Sequence, residues 1–260
     1  MNIGTPIDAR LANLSEITAT QSIEEAWALH CTRMAEYGFD RLFYGHTRFS
    51  TPSTYADRHD ALILSSLPQG YVERYLREGH YRNIPMIRWA EKNDGACSWS
   101  EVYARLHPDE MTPGTRKALG TRQAFGIENG YSISFRNLCQ GGFAAISLVG
   151  REGLSQADLD KIWASRGAEI ELANRVFHLV VSSLPSRRPN RLTPRQREVL
   201  EWVAHGKTVP EICLLIGRKQ ATVEKHLRLA REAMNAQTTA QAVLRASISK
   251  QIFAKNSSQT

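Results

Sequence analysis

Thr208-Val209-Pro210-Glu211-Ile212-Cys213-Leu214-Leu215-Ile216-Gly217-Arg218-Lys219-Gln220 reads as a short helix, a glycine turn and the start of a second helix. Thr208 and Glu211 form a T-x-x-E capping box. Ile212, Leu215 and Ile216 supply an apolar face, and Gly217 stands where a left-handed stop is needed. In residues 219–234, Val223, Leu227, Ala230 and Met234 fall on one face, which leaves Gln220, Lys225, Arg228 and Arg231 to point outward. Upstream, Thr193-Pro194 offers an N-cap and a proline at the first helical position, followed by Val199, Leu200, Trp202 and Val203 as a buried stripe up to Gly206. A further helix over 239–249 closes the small core. Two short helices across a glycine turn, the second carrying a basic face, have the geometry that admits a helix to the major groove.

Charge separates this segment from the rest of the 260 residues. Residues 186–260 hold 14 Lys and Arg against 5 Asp and Glu, a balance of +9, whereas residues 1–185 hold 19 against 21. A compact basic module beside a neutral one suits a binder of double-stranded DNA better than an enzyme for small acids. The alternative is a solvated basic surface. Between the parts, Ser182-Ser183-Leu184-Pro185-Ser186-Arg187-Arg188-Pro189-Asn190 is polar and contains two prolines. The expected organisation is therefore a domain over 1–181, a linker over 182–190 and a helix-turn-helix domain over 191–260.

The N-terminal part mixes periodicities. Ser22-Ile23-Glu24-Glu25 opens a helix with Ile23, Ala26, Trp27, His30, Met34 and Tyr37 on one face and Gly38 as its stop. Residues 39–49 read as a strand, 51–53 as a loop and 68–79 as a second short helix. Residues 131–138 and 143–149 alternate as a β-hairpin across Gln140-Gly141-Gly142. Over 154–181 the residues Leu159, Ile162, Trp163, Ile170, Ala173, Val176, Phe177 and Val180 form one helical stripe, which Gly167 weakens by about 1 kcal/mol relative to Ala. This order implies an α+β architecture with an antiparallel sheet between helices, joined to a small all-α domain. No run approaches the ~18 apolar residues of a membrane span, and a cytoplasmic location without membrane partners is expected. Cys31, Cys97, Cys139 and Cys213 lack zinc-ligand spacing. Neither a catalytic motif nor a cofactor fingerprint is present. Gly206-Lys207-Thr208 mimics the end of a P-loop, but Glu201 stands where that loop needs its first glycine.

Residues 191–200 (Arg-Leu-Thr-Pro-Arg-Gln-Arg-Glu-Val-Leu), Gly206-Lys207-Thr208, Glu211-Ile212, Thr222-Val223 and His226 resemble the DNA-binding domain of LuxR-type transcription regulators. Leu67-Pro68, Tyr71, Tyr75, Pro85, Trp99, Phe125-Gly126-Ile127 and Gly130 resemble that family's acyl-homoserine-lactone-binding domain. The resemblance implies an α-β-α sandwich with a pocket for a small-molecule signal, a homodimer, and promoter binding through residues 219–234. Candidate DNA contacts are Lys219, Gln220, Thr222, Glu224, Lys225, Arg228 and Arg231. Candidate ligand contacts are Tyr71, Tyr75, Ile84, Trp99, Ser132 and Ser147. The plain alternative is that Tyr75 and Trp99 only fill space while the two serines bond backbone.

Departures from the family pattern bear on the signal. Where the family has Tyr-Pro, Trp and Asp-Pro, this chain has Leu67-Pro68, Tyr71 and Ile84-Pro85. The family's Asp accepts the lactone's amide N–H. Isoleucine accepts nothing, and a buried unpaired amide costs about 1 to 3 kcal/mol. The expectation is a regulator that folds without an acyl-homoserine lactone and responds to it poorly, with heterodimerisation onto a ligand-responsive relative as the alternative mode. In the basic part, Gln196 replaces the family's usual Glu, Lys219 its usual Ser, and Ala233-Met234 its usual Lys-Leu. A phosphorylated response regulator is disfavoured, since no repeated β/α receiver pattern precedes the linker, and an enzyme is the remotest case.

Overall fold

The computed structural model describes residues 9–47, 61–138, 142–184, 192–249 and 251–253. The chain divides into two compact units, Met1–Leu184 and Pro185–Thr260. No helix among the described residues is long and apolar enough to cross a membrane.

Unit one is built on a five-stranded antiparallel sheet in the order β2-β1-β5-β4-β3, with β1 Phe39–Thr47, β2 Ala61–Ser65, β3 Gly95–Ser98, β4 Gly130–Ser134 and β5 Phe143–Gly150. Helices α1 (Ala9–Ala19), α2 (Ile23–Glu36) and α7 (Gln156–Ser183) cover one face. Helices α3 (Gln69–Arg77), α4 (Pro85–Lys92), α5 (Trp99–Ala104) and α6 (Pro113–Ala124) cover the other. Side chains alternate across a strand, so β5 sends Ala144, Ile146 and Leu148 into the α2/α7 core while Phe143, Ala145, Ser147 and Val149 face the α3–α6 layer. On β1, Leu42 and Tyr44 enter the first core and Phe43 and Gly45 face the second layer.

The helix expected from Ser22 is α2, and the Ser22 hydroxyl caps it by accepting from the Glu25 N–H at 3.1 Å. The strand expected over 39–49 is β1 as far as Thr47, and its last two residues, like the loop 51–53, lie outside the described residues. The hairpin pairs β4 with β5, but β4 ends at Ser134 and Arg136–Leu138 form a 3-10 turn instead of more strand. Helix α7 continues to Ser183, two residues into the stretch expected to be linker. Gly167 of α7 has a packing reason: a Cβ there would sit 2.6 Å from the Trp163 indole nitrogen, and that indole stacks on Tyr131 at 4.0 Å.

Unit two consists of α8 (Pro194–Ala204), α9 (Val209–Ile216), α10 (Gln220–Ala233) and α11 (Thr239–Ile248) around Leu192, Val199, Leu200, Ile212, Val223, Leu227, Ala230, Ala242 and Ala246. Capping boxes open three of the four helices, Thr193 with Gln196, Thr208 with Glu211 and Thr238 with Gln241. Gly217 closes α9 at φ +62°, the left-handed conformation the turn requires. Leu215, expected on the buried face of α9, is exposed, as is Leu214, because that helix buries only the line through Ile212 and half-buries Cys213 and Ile216.

Candidate functional site

The α3–α6 face of the sheet encloses a cavity of about 70 Å³. Its floor is the reason it exists. Gly45 and Ala145 are register partners, so the strands present small side chains there beside Ser147, and a Cβ added at Gly45 would meet nothing within 4 Å. Helix α3 brings Tyr71 and Tyr75, four residues apart on one helical face. Ile84 occupies the N-cap of α4, held extended by the Pro85 that follows, and supplies no capping side chain. Trp99 forms the wall from α5, and its indole N–H donates to the Ser132 hydroxyl at 2.9 Å.

Five of the six expected ligand-facing residues, Tyr71, Tyr75, Ile84, Trp99 and Ser147, therefore line one cavity, together with Leu67. Ser132 does not line it. Its hydroxyl is occupied by Trp99 and fixes that ring in place. The hydroxyls of Tyr71, Tyr75 and Ser147 make no hydrogen bond among the described residues. Burial pushes the Tyr71 phenol up to about 12 and the Tyr75 phenol well above the ordinary range, so both are neutral donors.

Arg122 is absent from the residues expected in this site. This side chain of α6 lines the same cavity, is 4% exposed, and lies over the Trp99 ring with its guanidinium carbon 4.1 Å from the ring centroid. Its Nη1 donates to the Tyr103 hydroxyl at 3.1 Å and lies 3.3 Å from the Met86 sulfur. The sequence does hold a signal for it: the buried residues of α6 include Thr115, Ala118 and Arg122, a stripe at helical spacing that ends in a charge.

In unit two, α10 exposes Lys219 at its N-cap, then Gln220, Glu224, Lys225 and Arg228, with Thr222 half-buried. Gln220 donates to the Glu224 carboxylate at 2.8 Å and Arg228 pairs with Glu232. Lys219 and Lys225 take part in no ion pair among the described residues. Arg231 departs from the expected outward orientation. It is half-buried and donates to the Thr239 hydroxyl at 3.1 Å, tying α10 to α11. Arg218, in the turn, is an exposed cation beside this face and a further addition to the expected set. Gln196 preserves the cap of α8, since its carbonyl oxygen accepts from the Thr193 N–H at 2.8 Å as a carboxylate would.

The autoinducer binding domain model matches residues 22–181, and the sigma-70 region 4 model matches residues 190–234. The chain belongs to the LuxR-type family of transcription regulators. It is 28% identical over 208 residues to the quorum sensing-dependent transcriptional regulator RpaR of Rhodopseudomonas palustris, covering 78% of this chain and 80% of that one. It is 29% identical over 178 residues to the transcriptional activator BjaR1 of Bradyrhizobium diazoefficiens, covering 68% and 69%. The fold is similar to that of Escherichia coli SdiA, with a TM-score of 0.55 at 16% identity over 94% of this chain and 98% of that one. Of these, RpaR is by name a transcriptional regulator of the helix-turn-helix type and BjaR1 a transcriptional activator.

Proposed function

We propose that this LuxR-type regulator acts as a homodimer on promoter DNA and works without an ordinary acyl-homoserine lactone, either independently of ligand or as a sensor of another small molecule through unit one. The observation that carries the reading is Ile84. It stands at the N-cap of α4, on the cavity wall, where the family places a carboxylate that accepts the lactone amide. A cavity of about 70 Å³ is also less than half of a 150 Å³ cavity that holds benzene, which disfavours a long acyl chain.

Titration calorimetry with a panel of acyl-homoserine lactones tests this. No binding tighter than micromolar is expected, and sub-micromolar binding of any of them overturns it. Ile84→Asp restores an acceptor and places a good capping residue at an N-cap, so the folded variant should bind lactone more tightly than the wild type.

DNA contact is assigned to Lys219, Gln220, Thr222, Glu224, Lys225 and Arg228, with Arg231 bracing α10 against α11. The double change Lys225→Ala, Arg228→Ala should weaken promoter binding and flatten its salt dependence by up to about two phosphate contacts. Wild-type binding at every salt concentration would mean that another surface meets the DNA.

Dimerisation is supported by α7, although not by its periodic apolar stripe. Leu159, Ile170 and Phe177 are consumed by the core, while Leu172 and Leu179, seven residues apart on one face, are each half exposed. Leu172 also borders an apolar groove between α1, α2 and α7. Sedimentation should show a dimer, and Leu172→Glu with Leu179→Glu should return it to monomer. A related regulator could take the same face. Promoter binding by the pure chain favours the homodimer, and its absence favours heterodimeric antagonism.

A further inference from the structure

The cavity lining is mostly apolar, with the hydroxyls of Tyr71, Tyr75 and Ser147 and one charged side chain, Arg122. A guanidinium cannot shed its proton in a protein, and an isolated buried charge costs several kcal/mol unless an anion or a full set of acceptors meets it. Arg122 has neither. It takes part in no ion pair among the described residues, its Nε and Nη2 have no acceptor there, and its Nη1 has one hydroxyl and a weakly accepting sulfur. The Trp99 face at 4.1 Å offsets part of the charge but supplies no hydrogen-bond acceptor. Around the same space, Tyr71, Tyr75 and Ser147 hold hydroxyls with no partner among the described residues. Donors converge on the hole, and among the described residues its lining holds no anion to answer them, the hydroxyl oxygens being its neutral acceptors.

Resting on the reading of unit one as a small-molecule sensor, we propose that the cavity takes a compact carboxylic acid in its ionised form, the carboxylate paired with the Arg122 guanidinium and its apolar body against Phe43, Ile84, Phe143 and Val149. A carboxylate matches the planar guanidinium fork, and its remaining lone pairs meet the tyrosine hydroxyls. A phosphate would need more donors than these walls offer. A neutral lactone would leave the charge unpaired. The ligand supplies the anion that the cavity walls lack.

The test is calorimetry on the full chain with acetate and propionate as probes, small enough for a cavity of about 70 Å³, against acetamide, propionamide and N-hexanoyl-homoserine lactone. At neutral pH the better acid should bind at least about tenfold more tightly than its amide. Its affinity should fall toward that of the amide as the pH is lowered toward the acid's own pKa, read only at pH values where circular dichroism shows the chain still folded. Arg122→Gln should abolish the preference for the acid, and Arg122→Lys should retain part of it. Gly45→Val, which builds side chain into the floor, should block acid and amide alike. Equal binding of acid and amide, or a preference that survives in folded Arg122→Gln, overturns the proposal. Tight binding of the lactone with none of the acids would overturn the carboxylate assignment while leaving the sensor reading intact. Failure of every probe at millimolar concentration would remove both.

Discussion

On the α2 and α7 side of the sheet every prominent buried polar group has an answer. His30 meets Asn174 at 2.9 Å and stacks on Phe177 at 4.2 Å, and the Tyr44 hydroxyl meets His178 at 2.9 Å. On the α3–α6 side, Tyr71 and Tyr75 keep hydroxyls without a partner among the described residues, and Arg122 keeps a charge without an anion. Both layers contain aromatic residues at helical and strand spacing, so composition does not separate them. The contrast is that a scaffold satisfies its own buried polar groups, whereas a binding cavity leaves donors for something else to satisfy.

Acid pH should break this contrast most strongly. Burial lowers the pKa of His30 and of His178 to about 4, so both are neutral in the folded protein. The unfolded chain binds their protons at a pKa near 6.5. Stability contributed by the neutral forms is therefore present above about 6.5 and lost as the pH falls from there toward 4, on the order of several kcal/mol for the pair. Urea unfolding across that window should show the midpoint falling. A flat profile would mean that these histidines are not held neutral.

The same substitution on the two faces sharpens the comparison. Tyr44→Phe removes the hydroxyl that meets His178 Nδ1 in the core and should destabilise by about 1 to 3 kcal/mol, while Tyr75→Phe removes a hydroxyl that makes no hydrogen bond among the described residues and should stay within about 0.5 kcal/mol in the absence of ligand. Equal losses in chemical denaturation would erase the distinction between the layers. A smaller effect of opposite sign is expected at the cavity floor. Gly45→Val adds a strand-favouring side chain into open space and should raise stability by about 0.5 to 1 kcal/mol. A lower melting temperature would show that the floor has no room.

Elements with strong local signals are legible in the amino-acid sequence. Helix α2 carries its Ser22 cap and apolar stripe, α7 its long stripe, α8 its Thr193 cap and following proline, α9 its capping box and glycine stop, and α10 its apolar face, because each signal involves residues within a turn or two of one another. Helices α4 and α5, of 8 and 6 residues, and strands β2 and β3, of 5 and 4, leave no comparable trace. They are too short for periodicity to show, and long-range pairing stabilises the strands: β2 against β1, β3 against β4. Helix α6 is longer, but its inward stripe includes Thr115 and Arg122, which look like solvent-facing residues.

The sequence by itself determined the basic helix-turn-helix, its caps and turn, the α+β character of unit one and the absence of a carboxylate at Ile84. Those properties are carried by residue type and local spacing. Tertiary structure alone decided that Ser132 serves Trp99 rather than the cavity, that Leu172 and Leu179 are the apolar residues α7 leaves exposed, and that Arg122 lies over Trp99 among Tyr71, Tyr75 and Ser147. The cavity draws its walls from β1, α3, α4, α5, α6 and β5, elements spread across about a hundred residues, and whether a buried charge has a partner depends on which of them the fold brings within hydrogen-bond reach.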